Sequence, residues 1–272
     1  MSEAALETVL KRDRAIVVTA VLVLTALAWA YVLWTAASMS AATSASSMPG
    51  MNMPGMSMAG AGSVWNAGGF ALTVAMWAVM MIGMMTPSAA PMILLYARIG
   101  RQARADGRLF ASTGWFAGGY LLAWSGFAVA ASLAQLALAD MALITPMLGA
   151  ANNLFAGLVL IAAGIYQWTP LKNSCLSQCQ SPVGFLQRHG GFQRDPKGAL
   201  ELGLKHGLAC IGCCWALMML LFVGGVMNAL WIAALSILVL LEKLLILGRF
   251  VPRFVGLVLV VVGAIYIVGM AI

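Results

Sequence analysis

Seven long apolar runs dominate this sequence, and they constrain its fold more than any other feature. A helix needs about 20 apolar residues to cross the hydrocarbon core of a bilayer, and each run is close to that length or longer. Short polar or basic segments separate the runs. They predict an all-α, polytopic transmembrane helix bundle of about seven spans, at residues 16–34, 70–97, 111–138, 148–168, 202–223, 229–247 and 254–272.

The composition excludes an ordinary soluble domain. Apolar residues make up 62% of the chain and charged residues only 8%, and the mean hydropathy is +0.96. Soluble domains carry about 25% charged residues, so this chain has too few to cover a water-facing surface. The net charge of +7 forms no basic face of the kind that binds nucleic acid. We therefore expect the lipid bilayer, and no nucleic acid, as a partner.

The 15 Lys and Arg residues predict how the chain crosses the membrane. They fall at the N-terminus, in the segments after the second, fourth and sixth runs, or at the run ends beside those segments. Basic residues favour the cytoplasmic side, so the pattern predicts a cytoplasmic N-terminus and an external C-terminus in the plasma membrane. We divide the chain into a cytoplasmic N-terminus with the first span (1–39), an external Met-rich flexible linker (40–69) and a six-helix transmembrane domain (70–272).

The linker contains a tandem Met-Pro-Gly-Met repeat with a five-residue period. Proline and glycine disfavour a helix, so the thioethers are carried on a flexible chain. A thioether is a soft donor with no proton to lose, which suits Cu(I) or Ag(I). The alternative is a low-complexity tether with incidental methionines. We predict external capture of a soft metal by Met48, Met51, Met53, Met56 and Met58.

The second run carries a further group of methionines, just ahead of Pro87, where the missing backbone donor predicts a kink. At 100° per residue they form two neighbouring stripes along a helix. Methionine is also a common packing residue, so the stripes could simply fill the core. The functional interpretation is a metal pathway through Met80, Met81, Met84 and Met85.

All five cysteines fall in two groups that the predicted topology places near the cytoplasmic surface. One group follows the fourth run in a loop predicted over residues 171–198, and the other shares a helical face with a histidine at the cytoplasmic end of the fifth run. A reducing cytoplasm disfavours disulfides. The alternatives are inert packing, a thiol redox pair, or a thiolate-rich site for Cu(I), with Zn(II) as the second choice. We predict the metal site, formed by Cys175, Cys179, His206, Cys210, Cys213 and Cys214.

Two adjacent charges, Glu242 and Lys243, lie inside the sixth run near its cytoplasmic end. Charges within a span are costly, and they are usually functional or mutually paired. We expect Lys243 to extend toward water and Glu242 to face the bundle near the cysteines. Together they are candidates for a charge relay.

Three motifs in these segments resemble one bacterial family of integral membrane proteins that are predicted to bind metal. The resemblance covers about residues 65–272 and leaves out the Met-Pro-Gly-Met linker. It implies a metal-binding membrane protein, although the family supplies no established reaction. The motifs are Trp77-x-x-Met80-Met81-x-x-Met84-Met85-x-Pro87-x-x-x-Pro91, Leu171-Lys172-x-x-Cys175-Leu176-x-x-Cys179 and His206-Gly207-x-x-Cys210-x-Gly212-Cys213-Cys214-Trp215-x-Leu217-Met218.

The working hypothesis is a protein that handles Cu(I) as a carrier, or as a donor that metallates a copper-dependent membrane enzyme or an external copper chaperone. The sequence has no ATP-binding motif, and we assign no catalytic residue and no organic cofactor. One alternative is a membrane thiol oxidoreductase that pairs Cys175 with Cys179 and Cys210 with Cys213. Another is a structural or assembly subunit of a larger membrane complex.

Overall fold

A computed structural model describes residues 18–38, 67–105, 107, 111–145, 148–191, 194–244 and 250–269. These residues form helices, turns and one isolated bridge between Ile144 and Ala150, with no strand among them. The prediction of an all-α bundle is therefore confirmed. The methionines of the 40–69 linker lie outside the described residues, and the division into three segments stays a prediction.

The helices are numbered here in chain order. They are α1 (Val18–Ser38), α2 (Ala67–Ala105), α3 (Thr113–Asp140), α4 (Asn153–Tyr166), α5 (Pro170–Gln180), α6 (Pro182–Arg188), α7 (Pro196–Met219), α8 (Leu221–Gly224), α9 (Ala229–Leu244) and α10 (Phe250–Val268). Helix α2 continues without a break through Pro87 and Pro91.

Several of these helices are long and apolar enough to cross a membrane. Within the described residues there are five, namely α1, α2, α3, α10 and the continuous stretch Pro196–Gly224 that joins α7 to α8. A sixth is obtained if α4 and α5, which meet at an angle of 66°, form one broken span. Helix α9 has 16 described residues, fewer than the roughly 20 that a span needs. The count of seven and the orientation remain predictions.

The structure corrects the sequence-based interpretation of residues 171–198, which predicted a loop. Most of this segment is helical, in α5 and α6. Thr169 caps α5 by accepting a hydrogen bond from the backbone N–H of Lys172 at 3.3 Å, and Pro170 occupies the first turn. A side-chain cap followed by proline is a strong helix start. After the 66° turn, α5 packs against α7.

Helices α3 and α7 form the most extensive helix–helix contact among the described elements. They run in the same direction and approach closely because glycines face them. A Cβ on Gly203 would overlap the carbonyl oxygen of Phe116, and a Cβ on Gly119 would overlap that of Leu200. Small residues at such crossings let helix backbones touch inside a membrane. This close approach brings Tyr120 of α3 against the middle of α7.

Helices α4 and α10 pack through a second glycine interface, in antiparallel orientation. A Cβ on Gly157 would lie 2.8 Å from the carbonyl oxygen of Gly263, and a Cβ on Gly164 would lie 2.8 Å from that of Gly256. The relation is reciprocal. A Cβ on Gly256 would lie 2.9 Å from the carbonyl oxygen of Gly164, and a Cβ on Gly263 would lie 2.8 Å from that of Gly157. The last helix is thus fixed to α4, just ahead of the turn into α5.

Candidate metal centre

The turn between α4 and α5 brings the two groups of cysteines together. Cys175 and Cys179 lie on the face of α5 that packs against α7. The sulfur of Cys179 is 3.9 Å from that of Cys213, and Cys179 also interacts with the thiol of Cys210. Cys175 instead packs against Gly212, where a Cβ would stand only 2.7 Å from its sulfur. The predicted convergence is therefore present, but on two packed helices rather than between a loop and a helix end.

The cysteines of α7 lie midway along their helix. Their place near the cytoplasmic surface stays a prediction. The helix begins at Pro196, ahead of the apolar run, where Asp195 accepts a hydrogen bond from Gly198 N–H at 2.9 Å. Cys210 is fourteen residues further on, about 21 Å along the axis at 1.5 Å per residue. The thiols are therefore deep in the bundle.

The thiols of α7 differ in their hydrogen bonding. Cys213 and Cys214 each donate to the carbonyl oxygen of Cys210 at 3.0 Å. The sulfur of Cys210 accepts a hydrogen bond from the ammonium of Lys243 at 2.9 Å and lies 3.3 Å from the hydroxyl of Tyr120. Cys210 is thus the thiol whose surroundings favour the thiolate, because an ammonium points at its sulfur.

The expectation that Lys243 extends toward water is wrong. Its residue is only 5% exposed, and its ammonium also donates to the hydroxyl of Ser88 at 2.9 Å. A lysine near a helix end extends outward when lipid surrounds it. Here α9 faces α2 and α7, so the sulfur of Cys210 and the hydroxyl of Ser88 are the polar partners within reach.

Glu242 faces the bundle, as expected, but its partner was not predicted. Its Oε2 atom accepts a hydrogen bond from the ammonium of Lys172 at 2.7 Å, and the two side chains are 2% and 0% exposed. Gln180 donates from Nε2 to the backbone carbonyl of Glu242 at 2.8 Å. Both ends of α5 are therefore attached to the end of α9, so the ion pair holds the helix that carries Cys175 and Cys179.

His206 lies one turn before Cys210 in an aromatic cage. Its ring centroid is 5.1 Å from that of Phe185, 5.8 Å from that of Tyr120 and 5.9 Å from that of Phe116. The residue is buried, and its Nδ1 atom has no hydrogen-bond partner within the described part of the chain. The described contacts of the imidazole are thus with aromatic rings, although it stays adjacent to the thiols.

The methionines of α2 are buried in the same core as the cysteines of α7. Tyr120 connects the two groups directly, because its hydroxyl donates to the carbonyl oxygen of Met85 at 3.1 Å and contacts Cys210. A role of Met80, Met81, Met84 and Met85 in metal passage remains a prediction, since core packing accounts equally for their burial.

The sequence interpretation missed three residues around the thiols and the buried charges: Lys172, Ser88 and Tyr120. A signal for Lys172 was available, because Lys172, Cys175 and Cys179 are spaced to share one face of a helix. That spacing indicates a helix, whereas the polar composition of the segment predicts a loop. The apolar pattern of α2 and α3 contains no comparable signal for Ser88 or Tyr120.

A family model described as PpoB2, copper chaperone, matches residues 74–266, a range that includes all five cysteines and the methionines of α2. The chain belongs to this copper chaperone family. The resemblance to a metal-binding family is thereby confirmed, and a copper-related function with it. No curated protein and no solved structure matches the chain.

The cysteines suit the cargo of a copper chaperone in donor type, although their geometry is incomplete. In the part of the chain that the structure describes, no group of three or more His, Cys, Asp or Glu side chains is arranged to hold a metal ion. Two sulfurs do lie at a suitable separation. The 3.9 Å between Cys179 and Cys213 is shorter than the span of two collinear metal–sulfur bonds of about 2.3 Å each, so one ion fits between them.

Proposed function

We propose that this copper chaperone family member is a membrane-embedded Cu(I) donor, which holds its cargo on thiols of α5 and α7 and releases it to a partner protein. The inner ligands of this proposal are Cys179, Cys210 and Cys213. The observation that carries it is the convergence of sulfurs from two helices, with 3.9 Å between Cys179 and Cys213. Cys214 and His206 lie beside this cluster as further ligands, whereas Cys175 packs against Gly212.

The donor set favours Cu(I) over Zn(II). Thiolates are soft ligands that select Cu(I), whereas structural Zn(II) sites almost always have four ligands in a tetrahedron. Among the described residues, no three His, Cys, Asp or Glu side chains are arranged to hold one ion, which suits an ion that accepts few ligands better than one that needs a tetrahedron. To bind the ion, the thiol of Cys213 gives up its proton and its hydrogen bond to the backbone carbonyl of Cys210.

The remaining sulfur ligands give the proposal a direction. In the predicted seven-span topology, Met48, Met51, Met53, Met56 and Met58 collect Cu(I) outside the plasma membrane. The buried methionines of α2 then pass it toward Tyr120 and Cys210. The recipient is a copper-dependent membrane enzyme or an external copper chaperone. Thiolates bind Cu(I) more tightly than thioethers do, which favours movement from the linker to the inner cluster.

The test is the Cu(I) content of the purified full chain and of single-cysteine variants. Cys179→Ser and Cys213→Ser should each lose most of the bound copper, and X-ray absorption of the loaded protein should show sulfur ligands. Cys175→Ser is the matched control, since it is the same substitution on the same helix at a thiol that packs against Gly212. Unchanged copper in Cys179→Ser and Cys213→Ser, or oxygen and nitrogen ligands alone, would overturn the proposal.

The same sulfur pair supports a thiol oxidoreductase as the second candidate function. The structure pairs Cys179 with Cys213, rather than Cys175 with Cys179 and Cys210 with Cys213 as the sequence interpretation had it. Incubation of the metal-free chain with oxidised glutathione, followed by mapping of disulfides, separates the two functions. A Cys179–Cys213 disulfide that forms rapidly and reversibly, in a chain that binds no Cu(I), would favour the redox function.

A further inference from the structure

A cleft of about 550 Å³ lies at the bend between α4 and α5, beside the first turn of α10. No cysteine is among the described residues that line it, so it is separate from the thiol cluster. Its walls are mostly polar, with Trp168 from the bend, Asn173, Ser174, Ser177 and Gln180 from α5, and Arg253 from α10. The proposed function gives this cleft no role.

Contacts between helices hold the walls of the cleft in place. The indole N–H of Trp168 donates to the backbone carbonyl of Arg253 at 3.1 Å. Helix α10 comes this close because Gly256 has no side chain, and a Cβ there would lie 2.8 Å from Nε1 of Trp168. On the α5 side, Gln180 donates to the backbone carbonyl of Glu242 at 2.8 Å. The cleft is therefore formed by the fold itself and needs no ligand to shape it.

The charge of the cleft suits an anion. Arg253 supplies a guanidinium, and in the described part of the chain no carboxylate lies within ion-pair distance of it. The side chains of α5 that line the cleft are neutral, and Pro170 at the start of that helix brings the positive end of its dipole to the same place. Guanidinium groups bind phosphate oxygens through paired hydrogen bonds. A phosphate group is therefore a complementary ligand.

Exposed apolar side chains surround this polar cleft. Trp168 itself is 44% exposed, and Leu171 beside it is 60% exposed. On α10, Phe250 and Phe254 flank Arg253 along the chain and are exposed, with their rings stacked at a centroid distance of 6.4 Å. Tryptophan is enriched where a bilayer meets water, and the predicted topology places this bend at the cytoplasmic surface. A soluble anion has no use for apolar surroundings, whereas a phospholipid carries acyl chains beside its phosphate.

We propose that this cleft binds the headgroup of an anionic phospholipid. The phosphate lies at Arg253, and the acyl chains lie along the exposed apolar side chains of α10. Basic pockets between transmembrane helices on the cytoplasmic side bind anionic headgroups in this way. A zwitterionic headgroup would bring its own positive group toward the guanidinium, so the site prefers a lipid with net negative charge.

The lipid site is independent of the copper cluster. Asn173 and Ser177 precede Cys175 and Cys179 by two residues each, which is about 200° around a helix at 100° per residue. The cleft and the thiols therefore lie on nearly opposite faces of α5. The inference goes beyond the proposed function, and neither depends on the other.

The experiment measures which lipids stay with the purified full chain. The chain is reconstituted in vesicles of phosphatidylglycerol and phosphatidylcholine in equal amounts, with the same acyl chains. It is then extracted in mild detergent, and the lipids that copurify with it are counted by mass spectrometry. We expect phosphatidylglycerol to be retained in preference to phosphatidylcholine. Arg253→Gln should lower that preference about fivefold, the effect expected for one basic residue near anionic lipid.

Two further variants separate the cleft from general surface charge. Ser177→Phe fills the cleft from an exposed position without changing any charge, and it should lower the preference as well. Arg188→Gln is the matched control, because it removes the same charge from an exposed guanidinium on α6, outside the cleft. It should keep the wild-type preference. A single symmetric peak in size-exclusion chromatography shows that a variant is folded.

Several results would overturn the inference. One is equal retention of the two lipids by the wild type. Another is a wild-type preference in folded Arg253→Gln or in folded Ser177→Phe, or an equal fall in Arg188→Gln. Loss of the lipid to inorganic phosphate, but not to chloride of the same ionic strength, would assign the cleft to a free anion instead. None of these results involves copper on Cys179 and Cys213, so the proposed function is tested separately.

Discussion

The ammonium of Lys172 and the carboxylate of Glu242 form a buried ion pair, with 2.7 Å between Nζ and Oε2. The pair joins the start of α5 to the end of α9, and it places Cys179 opposite Cys213. Oε1 of the same carboxylate is buried without a hydrogen-bond partner among the described residues. The pair therefore positions the inner thiols, at the cost of one unsatisfied oxygen.

Removal of one partner of this pair should destabilise the chain strongly. Glu242→Gln or Lys172→Met leaves an uncompensated buried charge, for which a loss of about 3–5 kcal/mol is typical. The double variant Lys172→Met with Glu242→Gln should recover much of it, since neither charge remains. Unfolding in detergent measures the change, and Lys205→Met in the exposed Glu201 pair should cost less than about 1 kcal/mol. Equal losses at both pairs would contradict a positioning role.

The glycine contact between α3 and α7 should be sensitive to a single methyl group. Gly203→Ala places a Cβ on the carbonyl of Phe116, and relief of that overlap requires the helices to separate. We expect a loss of about 1–3 kcal/mol and weaker copper binding, because Tyr120 moves away from Cys210. Gly126→Ala on α3 is the matched control, since nothing lies within 4 Å of its Cβ. There the higher helix propensity of alanine should leave stability unchanged or slightly raised.

Acid should affect the two sulfur sites differently. Thioethers bind no proton, so a peptide spanning residues 48–58 should bind Ag(I) almost equally at pH 5 and pH 7. The thiols of α5 and α7 must lose protons to bind a metal ion, so the affinity of the inner cluster should fall as the pH falls. Competition titrations at both pH values check this contrast. The linker is a simple tether if its peptide binds no Ag(I) at either pH.

The predicted orientation can be tested with reporter insertions. Reporters placed after Arg104 and in the turn at Gly190 and Gly191 should be cytoplasmic, because the basic segments surround them. Reporters at Ser57 and after Ile272 should be external. An external signal at Arg104 would reverse the sidedness of every sulfur site in the chain.

Hydropathy predicted most of the helices of this bundle, because long apolar runs have few alternatives to a membrane helix. It failed at α5, where Lys172, Asn173 and Ser174 make the sequence polar although Thr169 and Pro170 are good helix-start residues. Sequence grouping indicated that the cysteines would lie close together. It could not predict the contact of Cys179 with Cys213, because that contact depends on the 66° turn between α4 and α5.

The two adjacent charges of α9 show the same limit of a one-dimensional pattern. Burial of Glu242 was predicted from the cost of a charge facing lipid. The opposite expectation for Lys243 assumed that water was its nearest polar environment. The sulfur of Cys210 lies thirty-three residues earlier in the chain, and its proximity to Lys243 follows from helix packing rather than from any local signal.

The burial of the thiols of α7 has a kinetic consequence. Ligand exchange between soft donors is fast when donor and acceptor sulfurs can share the ion, but Cys210 and Cys213 are each only 2% exposed, so a docked protein does not reach them directly. Cys179 is half-buried and is the most exposed of the three inner ligands. It moves only if the attachment of α5 to α9 opens. Delivery of an ion from this cluster should therefore proceed at the opening rate of α5, independent of the concentration of the acceptor once that protein is saturating.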